Sequence, residues 1–270
     1  MILNLYKNRG ETPLQCIERF KVASSATRQG GGKTKMTYLG RLDPMADGVL
    51  LVATDSDTSQ TRREEFFGLD KNYDFTALFG FATDTYDCLG KITHPPAPSL
   101  ITKEGESRNS DLVSIMDLIK ICKIYEGERE QKYPKYSSPM IAKRKTSPNP
   151  LLVQEGEDED GVYKKIHIYQ MQFKGLTTLK AKELFGRLLM DIGKVKGDFR
   201  QVEILELWQK MLVDKKEEYF VGNFSASVSS GTYIRSIVND MGATLGCGAC
   251  ALSITRTRVG DYLLKDSIRF

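Results

Sequence analysis

Apolar residues recur along this chain in two rhythms, and the places where one gives way to the other outline its elements. Leu14, Ile17 and Phe20 fall at helical spacing behind Thr12-Pro13, a cap and a first-turn proline, so a helix is expected to begin there. A basic glycine-rich loop, Ala26 to Lys35, comes next. Val49 to Ala53 is an unbroken apolar run of strand length and reads as a buried strand. Tyr73, Phe75, Ala77 and Phe79 alternate with Asp74, Thr76 and Leu78, which predicts a strand with Tyr73 on its apolar face. Tyr163 to Phe173 predicts another, with His167, Tyr169, Met171 and Phe173 on one side, and Phe220 to Val228 a third, aligning Phe220, Phe224, Ala226 and Val228. Leu112 to Ile124 reads as a helix. Thr232 to Leu245 reads as an amphipathic one, with Ile234, Ile237, Val238, Met241 and Leu245 on one stripe and Gly246 as its stop. Strands so far apart, interleaved with helices, imply an α+β fold around a mixed, largely antiparallel sheet.

Composition narrows the class. The 270 residues, 40% hydrophobic and 27% charged, can bury a substantial core, and a single domain spanning 1–270 is expected. Between 93 and 160 the pattern weakens into a variable insertion, opened by Pro95, Pro96 and Pro98 and closed by the acidic run Glu155 to Asp160, expected to be a solvated hairpin tip. The longest apolar run falls far short of the roughly 20 residues that cross a bilayer, and Met1 to Lys7 has no signal-peptide character. A cytoplasmic, membrane-free protein is expected. Cys16, Cys88, Cys122, Cys247 and Cys250 are odd in number and scattered; Cys247-Gly-Ala-Cys250 is expected to pack at a helix end rather than to hold zinc. A net charge of +4 permits a polyanionic partner without demanding one.

Gly30-Gly-Gly-Lys33-Thr34 ends like a phosphate-binding loop, but Thr27 stands where that loop needs glycine and a helix precedes it instead of a strand. A loop contacting RNA phosphates suits it better than a nucleotide site. More telling is Gly40-Arg-Leu-Asp43-Pro-Met-Ala-Asp-Gly48. Proline stiffens the turn that carries Asp43, although an Asp-Pro pair is also an ordinary turn starter. Its companions are Tyr73, Thr83-Asp-Thr-Tyr-Asp87, Ser229-Ser-Gly-Thr-Tyr-Ile-Arg235-Ser and Arg256-Thr-Arg-Val-Gly260.

In order and approximate spacing, from residue 1 to about 268, these segments resemble the TruB-type tRNA pseudouridine synthases. The resemblance implies the pseudouridine synthase fold and a tRNA substrate, with uridine 55 of the T arm isomerised by cleavage of its glycosidic bond, rotation of the base and rejoining through carbon. It implies Asp43 as the carboxylate at the ribose, attacking the sugar carbon or removing a neighbouring sugar proton, and Arg235 as its partner. Tyr73 would stack on the everted base and assist proton transfer, Tyr233 and Ile254 would wall the uracil, and Asp87 would hydrogen-bond near the stacked tyrosine. Tyr38 stands where the family has histidine, and Ile254 where leucine is commoner. Lys33, Lys35, Arg41, Lys143 and Arg144 are candidates for the RNA backbone. No metal, cofactor or obligatory protein partner is implied, and a monomer is expected. Met140 replaces an expected lysine, and no C-terminal PUA domain of the kind that many relatives append is expected after Phe270. Two other readings stay open on these residues, a guide-RNA-dependent synthase of ribosomal RNA and a binding or RNA-folding module without catalysis.

Overall fold

The computed structural model describes residues 1–25, 34–94, 113–137 and 163–270. The glycine loop with Lys33, the prolines 95–98, Met140, Lys143, Arg144 and the acidic run lie outside the described residues. In chain order the elements are β1 (Ile2–Lys7), α1 (Pro13–Ser25), β2 (Met36–Tyr38), β3 (Ala46–Thr54), α2 (Gln60–Phe67), β4 (Lys71–Phe79), β5 (Ala82–Thr83) and β6 (Ile92–His94). They continue with α3 (Ile115–Tyr125), β7 (Gly127–Lys132), β8 (Tyr163–Lys180), α4 (Ala181–Gly193), α5 (Gln201–Leu212), β9 (Glu218–Val228), α6 (Ile234–Thr244), β10 (Ala249–Val259) and β11 (Tyr262–Leu263).

Among the described residues, nine strands form one sheet in the order β1-β3-β10-β4-β9-β8-β7, with β2 paired to β3 and β11 to β10. The β3–β10 pair is parallel and every other pair in this sheet antiparallel. The expected mixed, largely antiparallel sheet is therefore present, flanked by helices.

The unbroken apolar run of β3 follows from cover on both sides. Leu50 and Val52 face α1 together with Leu5 and Ile17, whereas Val49, Leu51 and Ala53 join Leu39 and Val259 on the other side. In α1 the helix begins at Pro13 as expected, but Leu14 is exposed, because only Cys16, Ile17 and Phe20 turn toward the sheet. α3 and α6 cover a second region of sheet, packing Leu118, Ile121, Ile237, Val238 and Met241 on Phe75, Phe224 and Ala226.

The even alternation expected for Tyr163 to Phe173 is broken. A register shift between Ile168 and Gln170 inserts one residue, so Ile166 and Ile168 point inward before it and Met171 after it. His167 and Tyr169 consequently stack on each other outside the core, their rings 4.6 Å apart. α4 and α5 form a layer that the reading of the sequence did not anticipate. Leu184, Leu188 and Ile192 meet Ile204, Trp208 and Leu212 over Leu78, Phe81 and Leu252. Trp208 is fully buried and its indole N–H donates to the Cys88 carbonyl at 3.2 Å, so truncation to alanine costs about 3–5 kcal/mol. Cys247 and Cys250 are buried at the turn into β10, with the Cys250 sulfur 3.9 Å from that of Cys88.

Candidate active site

Asp43 sits on the turn that leads into β3, closed by the Ala46 N–H donating to the Asp43 carbonyl at 3.0 Å. Three carbonyls of this turn and the strand it enters accept hydrogen bonds from two buried cations. Arg256 donates through Nε to Val49 O at 2.8 Å and through Nη1 to Arg41 O at 2.9 Å. Lys7 donates through Nζ to Ala46 O at 2.6 Å. The parallel register that pairs Ile254 with Ala46 and Arg256 with Gly48 places the arginine, and the antiparallel pairing of Lys7 with Gly48 places the lysine. Gly48 is required there, since a Cβ would collide with the Arg256 carbonyl. Burial lowers the Lys7 pKa to about 8 in spite of Glu11 and other nearby anionic groups.

From a distant part of the chain, Arg235 enters at the first turn of α6. Its Nε lies 3.0 Å from Asp43 Oδ2, an ion pair whose angle falls outside hydrogen-bond geometry, and its Nη1 donates to Thr85 O at 2.8 Å. The guanidinium is buried and the Asp43 side chain 37% exposed, so the cation backs the carboxylate while the carboxylate faces the cleft. Burial opposes the Arg235 charge, but Asp43 and Asp87 on either side hold its pKa above the usual value.

The two acids of Thr83-Asp-Thr-Tyr-Asp87 do different things. Asp84 accepts from Arg200 Nη1 at 2.7 Å, from the Tyr136 hydroxyl at 3.2 Å and from the Lys91 N–H at 2.8 Å, tying this loop to the start of α5. Asp87 is buried behind Arg235, accepting from the Thr85 hydroxyl at 2.7 Å and the Leu89 N–H at 3.0 Å. Burial pushes its carboxyl up to about 6, with Arg235 and the Thr85 hydroxyl pulling the other way. Gly90 lets the loop close, because a Cβ there would strike the Thr85 and Asp84 side chains.

These groups border a cavity of about 400 Å³ lined by Asp43, Tyr73, Tyr133, Tyr233, Arg235 and Ile254, with Arg41, Lys71, Lys164 and Arg256 also on its walls. Tyr73 reaches it from β4 and Ile254 from β10. Tyr233 is pinned from both sides of its peptide: its N–H donates to Gln131 Oε1 at 2.8 Å, and Gln131 Nε2 donates to its carbonyl at 3.0 Å. The ring meets Tyr133 edge-on at 5.9 Å. Burial, then Asp43, raises the Tyr233 pKa.

Of the residues singled out from sequence, Asp43, Tyr73, Tyr233, Arg235, Ile254 and Arg41 thus share one cavity. Asp87 is one step removed, behind Arg235. Tyr38 is placed elsewhere: the alternation of β2 turns it with Met36 onto Leu5, Ile17 and Val52 beneath α1, away from the cavity wall. Lys35 is exposed just before β2. Sequence reasoning missed Lys71, Tyr133 and Lys164, which sit at strand ends where no periodicity or motif marks them. An apolar slot walled by aromatic rings, with a carboxylate braced by a guanidinium on one side, suits a flat base and the sugar attached to it.

Comparison with known proteins identifies the family. Residues 28–191 match the model described as the TruB family pseudouridylate synthase N-terminal domain. The chain is 30% identical to tRNA pseudouridine synthase B of Mycoplasma mobile over 99% of its own length and 71% of that protein. It is 26% identical to tRNA pseudouridine synthase B of Aquifex aeolicus, covering 97% of this chain and 69% of that one. In fold it resembles a chain in the crystal structure of a Cbf5-Nop10-Gar1 complex, with a TM-score of 0.51, 18% identity, and coverage of 97% of this chain and 49% of the other.

Proposed function

We propose a reaction on one established premise: the chain belongs to the TruB family of pseudouridylate synthases. It isomerises a uridine of tRNA, the T-arm uridine, to pseudouridine. The bond between base nitrogen and sugar breaks, the uracil turns within the cavity, and a carbon–carbon bond forms to the same sugar. The hydrogen on the attacked ring carbon leaves as the freed nitrogen gains one, so product and substrate have equal mass and no electrons are exchanged.

Each lining residue has a task in that sequence. Asp43 acts at the ribose, by attack on the sugar carbon or by removing the neighbouring proton. Arg235 keeps it aimed, and Thr85 O fixes the guanidinium. Tyr73 stacks on the everted base and serves its proton transfer, while Tyr233 and Ile254 close the slot so that the detached uracil turns without escaping. Eversion is needed because a stacked uridine cannot bring its sugar to a carboxylate inside a cavity. Arg41, on the cavity wall, and Lys35, outside the cavity, meet the RNA backbone. The protein works in the cytoplasm, as a monomer on bare tRNA.

The observation that carries this reading is the Asp43–Arg235 pair facing a cavity of nucleoside size. Its test is tritium release from tRNA transcript labelled at uracil carbon 5. The wild type releases tritium and yields a carbodiimide-reactive base at the T-arm position without any added guide RNA or protein. Asp43→Asn loses at least about 10³-fold in rate while RNA affinity stays within a few-fold. Undiminished release by that variant refutes the role of Asp43, and activity only with a guide RNA present refutes the bare-tRNA substrate.

A further inference from the structure

The cavity wall carries two ammonium groups that the uracil chemistry leaves unused. Lys71 opens β4 and Lys164 lies near the start of β8, and both line the same cavity as Asp43. They converge on the Ser230-Gly231 turn that precedes α6. Lys71 Nζ donates to Ser230 Oγ at 3.2 Å and to the Leu69 carbonyl, and the Lys164 side chain lies against Gly231, where a Cβ would strike its ammonium.

This arrangement concentrates positive charge on one wall of the cavity. Lys71 is only 7% exposed. Burial lowers its pKa to about 8, and Arg256 and Lys164 push in the same direction, with Asp70 alone opposing them. Neither lysine forms an ion pair among the described residues, and the Asp70 carboxylate is itself held by the Tyr169 hydroxyl at 3.0 Å. Two like charges over one turn repel each other and are stabilised when an anion settles between them. The same turn leads into the N-terminal end of α6, where the helix dipole favours negative charge.

We propose that Lys71, Lys164 and Ser230 form a subsite for a backbone phosphodiester of the RNA, next to the nucleotide everted into the cavity. The proposal rests on the reading that RNA is the substrate. Stacking of the base between Tyr73 and Ile254, with its ribose at Asp43, leaves the chain on either side of that nucleotide to leave along the cavity rim, where these cations stand. The lysines would then set the depth of insertion, since a phosphate has one place to stop while the apolar slot is tolerant of position.

The test uses T-arm stem-loop RNA and Lys164→Met, a substitution at a half-buried side chain whose stem is retained; Lys71→Met is the second variant. Affinity is measured as a function of salt. For each variant the plot of log affinity against log salt becomes shallower by about 0.7 to 0.9, the share of one phosphate contact. A methylphosphonate placed on one side or the other of the target uridine weakens wild-type binding and leaves Lys164→Met affected no further. A salt slope equal to wild type in Lys164→Met, or fully additive losses with both methylphosphonates, overturns the subsite. Inorganic phosphate displacing the stem-loop equally from wild type and Lys164→Met also overturns it. If the wild type binds the stem-loop but forms no pseudouridine, the reaction is refuted while the salt slope still decides the phosphate contact.

Discussion

Arg235 stands 3.0 Å from Asp43 by charge and not by a hydrogen bond, its Nη1 being committed to the Thr85 carbonyl. The guanidinium therefore orients a carboxylate that is still open to the cleft, and its own position is fixed by a loop that belongs to neither element.

That relationship makes Arg235 sensitive to shape as well as charge. Arg235→Lys keeps the charge but cannot hold Thr85 O and face Asp43 together, and turnover falls about tenfold. Arg235→Gln leaves Asp43 without its counter-charge and lowers turnover by about 10²–10³-fold. Single-turnover rates at saturating RNA distinguish the two; an Arg235→Lys rate equal to wild type would show that charge alone matters, and equal losses in both variants that the guanidinium's shape alone does.

Tyr73 offers a ring and a hydroxyl, which separate by substitution. Tyr73→Phe keeps the ring against the base and loses proton transfer, so the rate drops by about 10²–10⁴-fold with stem-loop affinity nearly unchanged. Tyr73→Ala weakens binding as well. A fully active Tyr73→Phe would confine the residue to stacking.

Arg256 braces the Asp43 turn and is expected to affect the reaction through it. One planar cation bonds Arg41 O and Val49 O on either side of Asp43, and a lysine ammonium at the same place reaches one of them. Arg256→Lys should lose about tenfold or more in turnover with RNA affinity within about threefold. Were the residue only a structural support, its replacement would lower the melting temperature without moving the turnover of the folded enzyme.

Asp87 predicts a pH effect whose sign follows from burial. Its carboxyl titrates near 6 in the folded protein against about 3.9 unfolded, so between those values the folded chain holds a proton that the unfolded chain has released. Its stabilising contribution is full below about pH 4 and is lost as pH rises through 6. Asp87→Asn resembles the neutral form and keeps an acceptor for Thr85 and Leu89. Its melting temperature relative to wild type should rise between pH 4 and 7; a difference independent of pH would contradict the shift.

Much of the sheet was legible because alternation is local. The apolar run of β3, the alternating face of β4 and the stripe of α6 each report which side of one element meets the core. Where a bulge inserts a residue, as between Ile168 and Gln170, the rhythm changes phase with no mark in residue type, and His167 and Tyr169 end outside. α4 and α5 carry well-spaced apolar residues, yet they lie between two strands whose own pattern drew the reading.

The candidate site divides in the same way. Residue order and the Asp43, Tyr73 and Arg235 motifs were enough to carry the resemblance to a family, and the expected chemistry came with that resemblance rather than from the motifs' own geometry. Which groups actually meet depended on pairings between distant segments. The parallel register of β3 with β10 sets Ile254 and Arg256 beside the Asp43 turn, the loop ending at Asp87 closes behind Arg235, and Lys71 reaches the turn that Lys164 also covers. The pleat of β2 sends Tyr38 to the core beneath α1 for the same reason. Short-range pattern specifies a side chain's face on its own element; its neighbours across the fold follow from strand register and layer packing, which sum contacts over the whole chain.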